Sequence, residues 1–287
     1  MSRVLIVGCG DVGTALGLML CEGGHEVSGA RRSAHRLPDR LHPVSVDVTD
    51  RRAIESTLPA VDVVVYAVAA GRRDEGAYRR AYVEGVSALL DVLEHRPEPP
   101  RRVFFVSSTS VYGERGGAWI DETAPLAPRG FAGESLAAGE RRTLASPLPA
   151  TVVRFAGIYG PGRGWMIERA RAGADCAGNP PKFTNRIHRD DCARVLAHLI
   201  ASDSACDDVY IGVDDAPVEE CEVLEWLAER LGAPAPRRGR AAEGQPEQGS
   251  GKQCSNARLR ASGYRFRYPT YREGYAAVLA GEGVRYP

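Results

Sequence analysis

Three glycines, Gly8, Gly10 and Gly13, stand at the spacing G-x-G-x-x-G at the end of the short apolar run Val4-Leu-Ile-Val7. The residues that follow, from Asp11 and Val12 onward, carry helical periodicity. A buried strand, a tight turn and a helix N-terminus present unpaired N–H groups and a positive dipole end that suit a pyrophosphate. The same glycines would serve an ordinary turn. Here a second strand near Glu26–Ala30 arrives where a βαβ unit needs it, so the loop is read as dinucleotide-binding. Asp11 is expected to cap the helix with its side chain while the amides around it face the phosphates. After the second strand the chain reads Gly29-Ala-Arg-Arg-Ser33. An acidic residue there would hydrogen-bond the ribose 2′-hydroxyl of NAD. Ala30 cannot, whereas Arg31, Arg32 and Ser33 suit a 2′-phosphate, so the expected cofactor is NADP, with NAD as the alternative. A solvated basic turn is the plain structural reading of the same residues.

At 287 residues the chain is long enough for a substantial core and for one large or two unequal domains. Its 37 basic and 37 acidic residues balance, which argues against nucleic acid or an anionic membrane as partner. The longest apolar runs are strand-length and no signal-type stretch is visible, so a cytoplasmic protein without a membrane span is expected. The 7 cysteines (Cys9, Cys21, Cys176, Cys192, Cys206, Cys221 and Cys254) are scattered without a C-x-x-C pair. They are read as reduced, mostly buried small residues, and no metal site is expected. Lys182 and Lys252 are the only lysines.

The elements that must position the glycine loop alternate through the first half. Apolar strands are expected at Val4–Val7, Glu26–Ala30, Val44–Val46, Val61–Ala67, Arg102–Ser107 and Thr151–Phe155. Helices are expected near Val12–Glu22, Arg51–Thr57, Ala77–Leu93 and Ala132–Leu144. Continuous apolar strands separated by helices imply a parallel sheet covered on both faces, a Rossmann-like doubly wound α/β fold with ligands at the carboxyl ends of the strands. This unit is placed at residues 1–160. A smaller, partly interleaved region, 161–287, forms a substrate cap, with a strand near Val209–Val213 returning to the sheet. Helices are expected at Asp190–Ala201 and Glu219–Leu231, and residues 233–252, rich in Pro, Gly and charge, as a mobile surface loop.

Further segments join the glycine loop. Val103-Phe-Phe-Val-Ser-Ser-Thr-Ser-Val-Tyr-Gly113, Val153-Arg-Phe-Ala-Gly-Ile-Tyr-Gly-Pro-Gly162 and Asn185-Arg-Ile-His-Arg-Asp-Asp191 resemble, in order, segments of the extended short-chain dehydrogenases/reductases. That is the family of NAD-dependent nucleotide-sugar epimerases and dehydratases. The short loop Gly8-Cys-Gly-Asp-Val-Gly13 is similar to that of its atypical branch. The family's acid/base is a tyrosine four residues before a lysine, and no Tyr-x-x-x-Lys exists in this chain. The segment expected to carry the pair, Phe131-Ala-Gly-Glu-Ser-Leu-Ala-Ala-Gly-Glu140, supplies neither a phenol nor an ammonium.

The resemblance implies roles for single residues. Asp47 and Val48 resemble an adenine-contacting pair, although a turn-forming Asp fits as well. Ala67, Ala69 and Ala70 would let the cofactor approach the sheet edge, or simply pack. Ser108 aligns with the family's catalytic hydroxyl and would polarise a substrate oxygen without titrating. Thr109 and Ser110 stand where sugar dehydratases carry Asp-Glu, which argues against dehydration. Tyr112, Tyr159 and Glu134 are the candidate substitute acids; Tyr112 and Tyr159 otherwise belong to packing motifs in which each hydroxyl finds a partner, and Glu134 is otherwise an exposed helix residue. His188 and Asp191 are expected to order a helix start. Arg154 and Arg186 would hold an anionic substrate or pair with buried carboxylates. The aromatic and basic string of 264–275 resembles the family's C-terminal signature and would line the substrate side.

These readings lead to an NADP-dependent oxidoreductase or epimerase-like enzyme, acting on a hydroxyl or carbonyl of a polar small molecule such as a nucleotide sugar. The alternative is a non-catalytic NADP(H)-binding redox sensor. A homodimer through the helices Ala77–Leu93 and Ala132–Leu144 is implied by resemblance.

Overall fold

The structure, a computed structural model, describes residues 1–202, 206–240 and 250–287. Seven parallel strands form the central sheet: β1 (Arg3–Val7), β2 (Glu26–Arg31), β3 (His42–Ser45), β4 (Val63–Tyr66), β5 (Arg102–Ser108), β6 (Ala150–Phe155) and β7 (Val209–Gly212). Their spatial order is β7-β6-β5-β4-β1-β2-β3, with Val4 in register with both Val27 and Val63. The chain runs outward from β1 to β3 and then returns to the other side of β1. That reversal opens a crevice above the carboxyl ends of β1 and β4, the place where doubly wound sheets bind ligands.

Alternation within each strand divides the core in two. Val4 and Ile6 of β1 face helices α1 (Asp11–Glu22) and α7 (Arg189–Ala201), together with Leu16 and Leu196. Leu5 and Val7 face the other layer, α2 (Arg51–Thr57) and α4 (Gly85–Glu94), with Leu89, Leu90 and Phe105. Side chains withdrawn from water on both faces explain why β1, β4, β5 and β6 are built on runs of Val, Ile, Leu and Phe, whereas the edge strand β3, His42-Pro-Val-Ser45, is mostly exposed.

Between α3 (Glu75–Arg79) and α4 the expected single helix widens into a π-helical turn at Arg80–Glu84. There the Tyr66 hydroxyl donates to the Ala81 carbonyl at 2.5 Å, and a Cβ at Gly85 would stand 2.6 Å from that hydroxyl. A side chain inserted against the helical ladder is a recognised cause of such a bulge. Helix α5 (Gly130–Leu144) packs beside this turn and on β5.

Beyond residue 160, α7 and β7 complete the sheet layer, so the later part of the chain is interleaved with the first. The remaining cap packs α6 (Trp165–Arg171), α8 (Glu220–Leu231) and α10 (Tyr271–Leu279) around Ile167, Leu224, Leu227, Tyr271 and Tyr275. Short helix α9 (Ala257–Ala261) lies against β7. Two expectations are corrected here. Cys176 and Cys221 are joined in a disulfide that ties the strand Cys176–Asn179 to α8, whereas Cys9, Cys21, Cys192, Cys206 and Cys254 are free thiols. The span 233–252 is not uniformly loop: Arg238–Arg240 pairs with Cys176–Asn179, and Ser250–Gly251 pairs with Lys182–Thr184. Residues 241–249 of that span lie outside the described residues. Among the described residues no helix is long and apolar enough to cross a membrane.

Candidate active site

The glycine loop owes its shape to the chain around it. Gly8 adopts φ +84°, and a Cβ there would meet the Val68 amide nitrogen at 2.4 Å, so only glycine lets the loop after β4 come this close. At Gly13 a Cβ would stand 3.2 Å from the Gly8 carbonyl and 3.0 Å from Ile6, the contact that seats α1 on β1. Gly10 differs: a Cβ there meets only the Gly8 carbonyl, at 4.0 Å, because the residue borders open space. Gly10 is also the N-cap of α1, with no side-chain cap, so the first amides of the helix face the crevice unclaimed by any side chain among the described residues. A pyrophosphate fits this arrangement.

Asp11 is not the cap expected of it. Its carboxylate accepts from Arg163 Nε at 2.9 Å, from the Arg189 guanidinium and from the Tyr286 amide at 3.2 Å. It therefore anchors two arginines and the C-terminal segment, a role visible only once residues 152 and more positions away are brought beside it.

One cleft of about 1310 Å³ collects Gly8, Gly10, Asp11, Val12, Gly13, Arg31, Arg32, Ser33, Asp47, Val48, Ala67, Ala69, Ala70 and Ser108. Arg31 reaches back to the Cys9 carbonyl at 3.3 Å and to the Pro287 carbonyl at 2.7 Å, bracing the glycine loop from behind. Arg32 is exposed beside it. Asp47 accepts from the Thr49 amide at 3.0 Å and the Thr49 hydroxyl at 2.8 Å, and those two bonds hold its carboxyl below the usual carboxylate range. Ser108 ends β5 and accepts from the Ser110 amide at 3.2 Å.

Other candidates stand elsewhere. Glu134 is exposed on α5 and does not line the cleft. Tyr112 and Arg154 are buried in a network with Glu140: Arg154 Nη2 lies 2.6 Å from Glu140 Oε2, Arg154 Nη1 donates to the Tyr112 hydroxyl at 2.5 Å, and Ser107 donates to Glu140 at 2.5 Å. Burial pushes the Tyr112 phenol up to about 12, so its proton is held more tightly than in water. Arg186 is buried with its guanidinium over the Tyr271 ring and donates to Thr184. Neither Arg154 nor Arg186 reaches the cleft.

His188 caps α7, its Nδ1 accepting from the Asp190 amide at 3.1 Å, and burial lowers its pKa to about 4. Asp191 does something different from ordering that turn: it accepts from the Tyr264 hydroxyl at 2.6 Å and the Arg267 and Tyr268 amides at 2.8 and 2.9 Å, pinning the C-terminal segment. The Tyr159 hydroxyl, for which a partner was expected, is buried without one among the described residues. Among the described residues no group of His, Cys, Asp or Glu is arranged to hold a metal ion.

Sequence reasoning passed over Arg72, Arg73, Tyr78, Tyr82, Ala132, Leu136 and Phe155, all of which line the cleft. A pair of arginines just beyond a parallel strand's carboxyl end was the available signal. The helical residues became visible only when α3 and α5 were seen side by side.

Residues 4–211 match the model of the NAD dependent epimerase/dehydratase family. A Streptomyces sp. protein named 3-diazoavenalumate denitrifying reductase is 32% identical over 257 residues, which are 82% of this chain and 83% of that one. The structure of a protein from Methylobacillus flagellatus, described as a putative NAD-dependent epimerase/dehydratase, is similar with TM-score 0.80 at 37% identity, covering 98% of each chain. The human epimerase family protein SDR39U1, solved with NADPH, shares the fold, with TM-score 0.77 at 22% identity over 98% of this chain and 100% of that chain. The chain belongs to the NAD dependent epimerase/dehydratase family, with an NAD(P)-dependent oxidoreductase or epimerase-like function.

Proposed function

We propose that this protein is an NADP-dependent reductase whose hydride acceptor needs no proton from the protein. One observation carries the reading. Helix α5 turns Ala132 and Leu136 to the cleft, at the very spacing of a tyrosine and lysine pair, so an apolar wall stands where a proton relay would be. The two lysines of the chain are engaged elsewhere, Lys182 with Glu220 at 3.1 Å and Lys252 with the Gly113 carbonyl at 2.9 Å. Among the cleft's hydroxyls, which include those of Ser108, Ser110 and Tyr78, that of Ser107 is given to Glu140, and burial raises the pKa of Tyr82.

Bound in this cleft, a reduced nicotinamide supplies a hydride. The chain's own contribution is binding and orientation. The amides at the start of α1 hold the pyrophosphate, Arg32 and Ser33 hold the 2′-phosphate, Asp47 and Val48 flank the adenine, and Ser108 orients the acceptor through a neutral hydrogen bond. Leu136 and Phe155 exclude water from the acceptor. An acceptor that is cationic balances without a protein acid: a diazonium carbon takes the hydride as its C–N bond breaks, both electrons of that bond leave with dinitrogen, and a neutral arene remains. The name of the Streptomyces relative, a denitrifying reductase of a diazo compound, supports this class. The preference for NADP over NAD rests on the basic turn at Arg31–Ser33 and the missing acid after β2.

The test follows NADPH consumption with aryl diazonium, iminium and simple carbonyl acceptors from pH 6 to 9. Turnover of the first two classes, with a kcat that is flat across the range and falls about ten-fold or more in Ser108→Ala, is the expected result. Turnover of carbonyls alone, with a titrating basic limb, would overturn the reading. Tight NADPH binding with no turnover on any acceptor would favour a non-catalytic cofactor sensor instead.

A further inference from the structure

The cleft, at about 1310 Å³, exceeds the roughly 300–1,000 Å³ of common ligand pockets, so it has room for a second ligand beside a dinucleotide. We infer that this second ligand, the substrate, is an aromatic carboxylate and not a nucleotide sugar. The inference rests on the reductase reading above and deepens it.

The mouth of the cleft supplies the anion site. Arg72 and Arg73, in the loop that follows β4, are both exposed, both border the cleft, and form no ion pair among the described residues. The neighbouring Asp74 does not neutralise them by pairing; its carboxylate accepts the Ala77 amide at 2.8 Å and caps α3. Guanidinium groups left free at a cleft rim suit a carboxylate, which they bind through paired, charge-assisted hydrogen bonds.

One stretch of the lining is aromatic and apolar. Tyr78 and Tyr82 line the cleft with ring centroids 5.4 Å apart, and Phe131 braces Tyr78 edge-on at 5.4 Å and 80°. Leu136 and Phe155 close the chamber. A flat aromatic body finds edge and face contacts here. A hexose matches that stretch less well: each of its hydroxyls, taken out of water, needs a partner, and beside the rings these are the Tyr78 and Tyr82 hydroxyls with Ser108 and Ser110. Arg154 and Arg186, expected to hold an anionic substrate, are buried away from the cleft, while Arg80 and Arg163 line it, Arg163 paired with Asp11.

The experiment loads the full-length protein with NADPH and titrates it calorimetrically with trans-cinnamate, methyl trans-cinnamate or UDP-glucose. Cinnamate is expected to bind, its ester about ten-fold or more weaker, and UDP-glucose without detectable heat. In the double variant Arg72→Ala/Arg73→Ala, cinnamate should fall to the level of the ester while NADPH affinity stays within about two-fold of the parent. Tyr78→Leu should weaken acid and ester alike, because it removes ring contact and not charge. Binding of UDP-glucose in place of cinnamate, equal affinity for acid and ester, or a loss of NADPH affinity in the double variant would overturn the inference. Failure of the parent protein to take up NADPH appears at the loading step, and that result sinks the reductase reading rather than the choice of substrate.

Discussion

Gly8 and Gly10 sit two positions apart, yet an added methyl group has opposite consequences at each. At Gly8 it strikes backbone at 2.4 Å in a left-handed conformation, so folding suffers. At Gly10, with φ −95°, the nearest atom is 4.0 Å away and the methyl projects where a pyrophosphate would lie. Gly10→Ala should therefore leave the unfolding free energy within about 0.5 kcal/mol of the parent while raising the NADPH Kd about ten-fold or more. Denaturant melts and calorimetry read the two effects separately; unchanged NADPH affinity would remove the loop from the binding site.

Asp214 provides a second prediction at this scale. Burial raises its carboxyl from 3.8 to about 7, and its Oδ2 has no partner among the described residues. Between those values the folded chain holds a proton that the unfolded chain has released, so stability falls as pH rises through the window and stays lowered above it. His188 works in the other direction. Its pKa is depressed from 6.5 to about 4, so the unfolded chain binds the extra proton and stability rises with pH over that range. The two slopes offset each other in the parent protein, which makes the difference between parent and variant the informative quantity. Asp214→Asn should gain about 2 kcal/mol relative to the parent on going from pH 5 to pH 8. Urea melts at both pH values check this, and a difference independent of pH would contradict the assigned burial.

Among the elements, those whose side chains are buried on both faces were legible from the chain alone. The apolar runs at Val4, Val63, Val103 and Val152 announced parallel strands, and the glycine spacing announced which strand end would bind. The cap was less legible, because its pieces are held by partners remote in sequence. Arg238–Arg240 becomes a strand only against Cys176–Asn179, and Asp191 finds its use only when 264–268 folds back onto α7. The end of the cleft beside α5 was half legible. The absence of a Tyr-x-x-x-Lys pair could be read directly, whereas the meeting of Tyr78 and Tyr82 with Ala132 and Leu136 depends on two helical segments lying side by side. The Cys176–Cys221 link could not be read from scattered cysteines, since pairing depends on where the backbone brings them. With a sequence separation of 45 residues, Cys221→Ser should cost about 3–4 kcal/mol by loop-closure reasoning. The melting temperature should fall in the variant, and fall equally when the parent is held in a thiol reductant; indifference to both would mean the link contributes nothing to the cap.

Over the whole molecule, the sheet, the cap and the C-terminal segment converge on the cleft. The Tyr286 amide meets Asp11 at 3.2 Å, Arg285 donates to the Gly162 carbonyl at 2.8 Å, and Arg189 holds the Val284 carbonyl. The segment that closes the chain is thereby fastened beside the glycine loop, with Arg31 reaching it from β2. Cofactor binding should consequently stiffen all three parts together. The proposed function requires that this cleft take a dinucleotide bearing a 2′-phosphate. Parallel calorimetric titrations with NADPH and NADH, on the parent and on Arg32→Glu, test it most directly. The parent should bind NADPH about ten-fold or more tightly than NADH, and Arg32→Glu should erase that difference by weakening NADPH alone. Equal affinities in the parent, or no binding of either nucleotide, would contradict it.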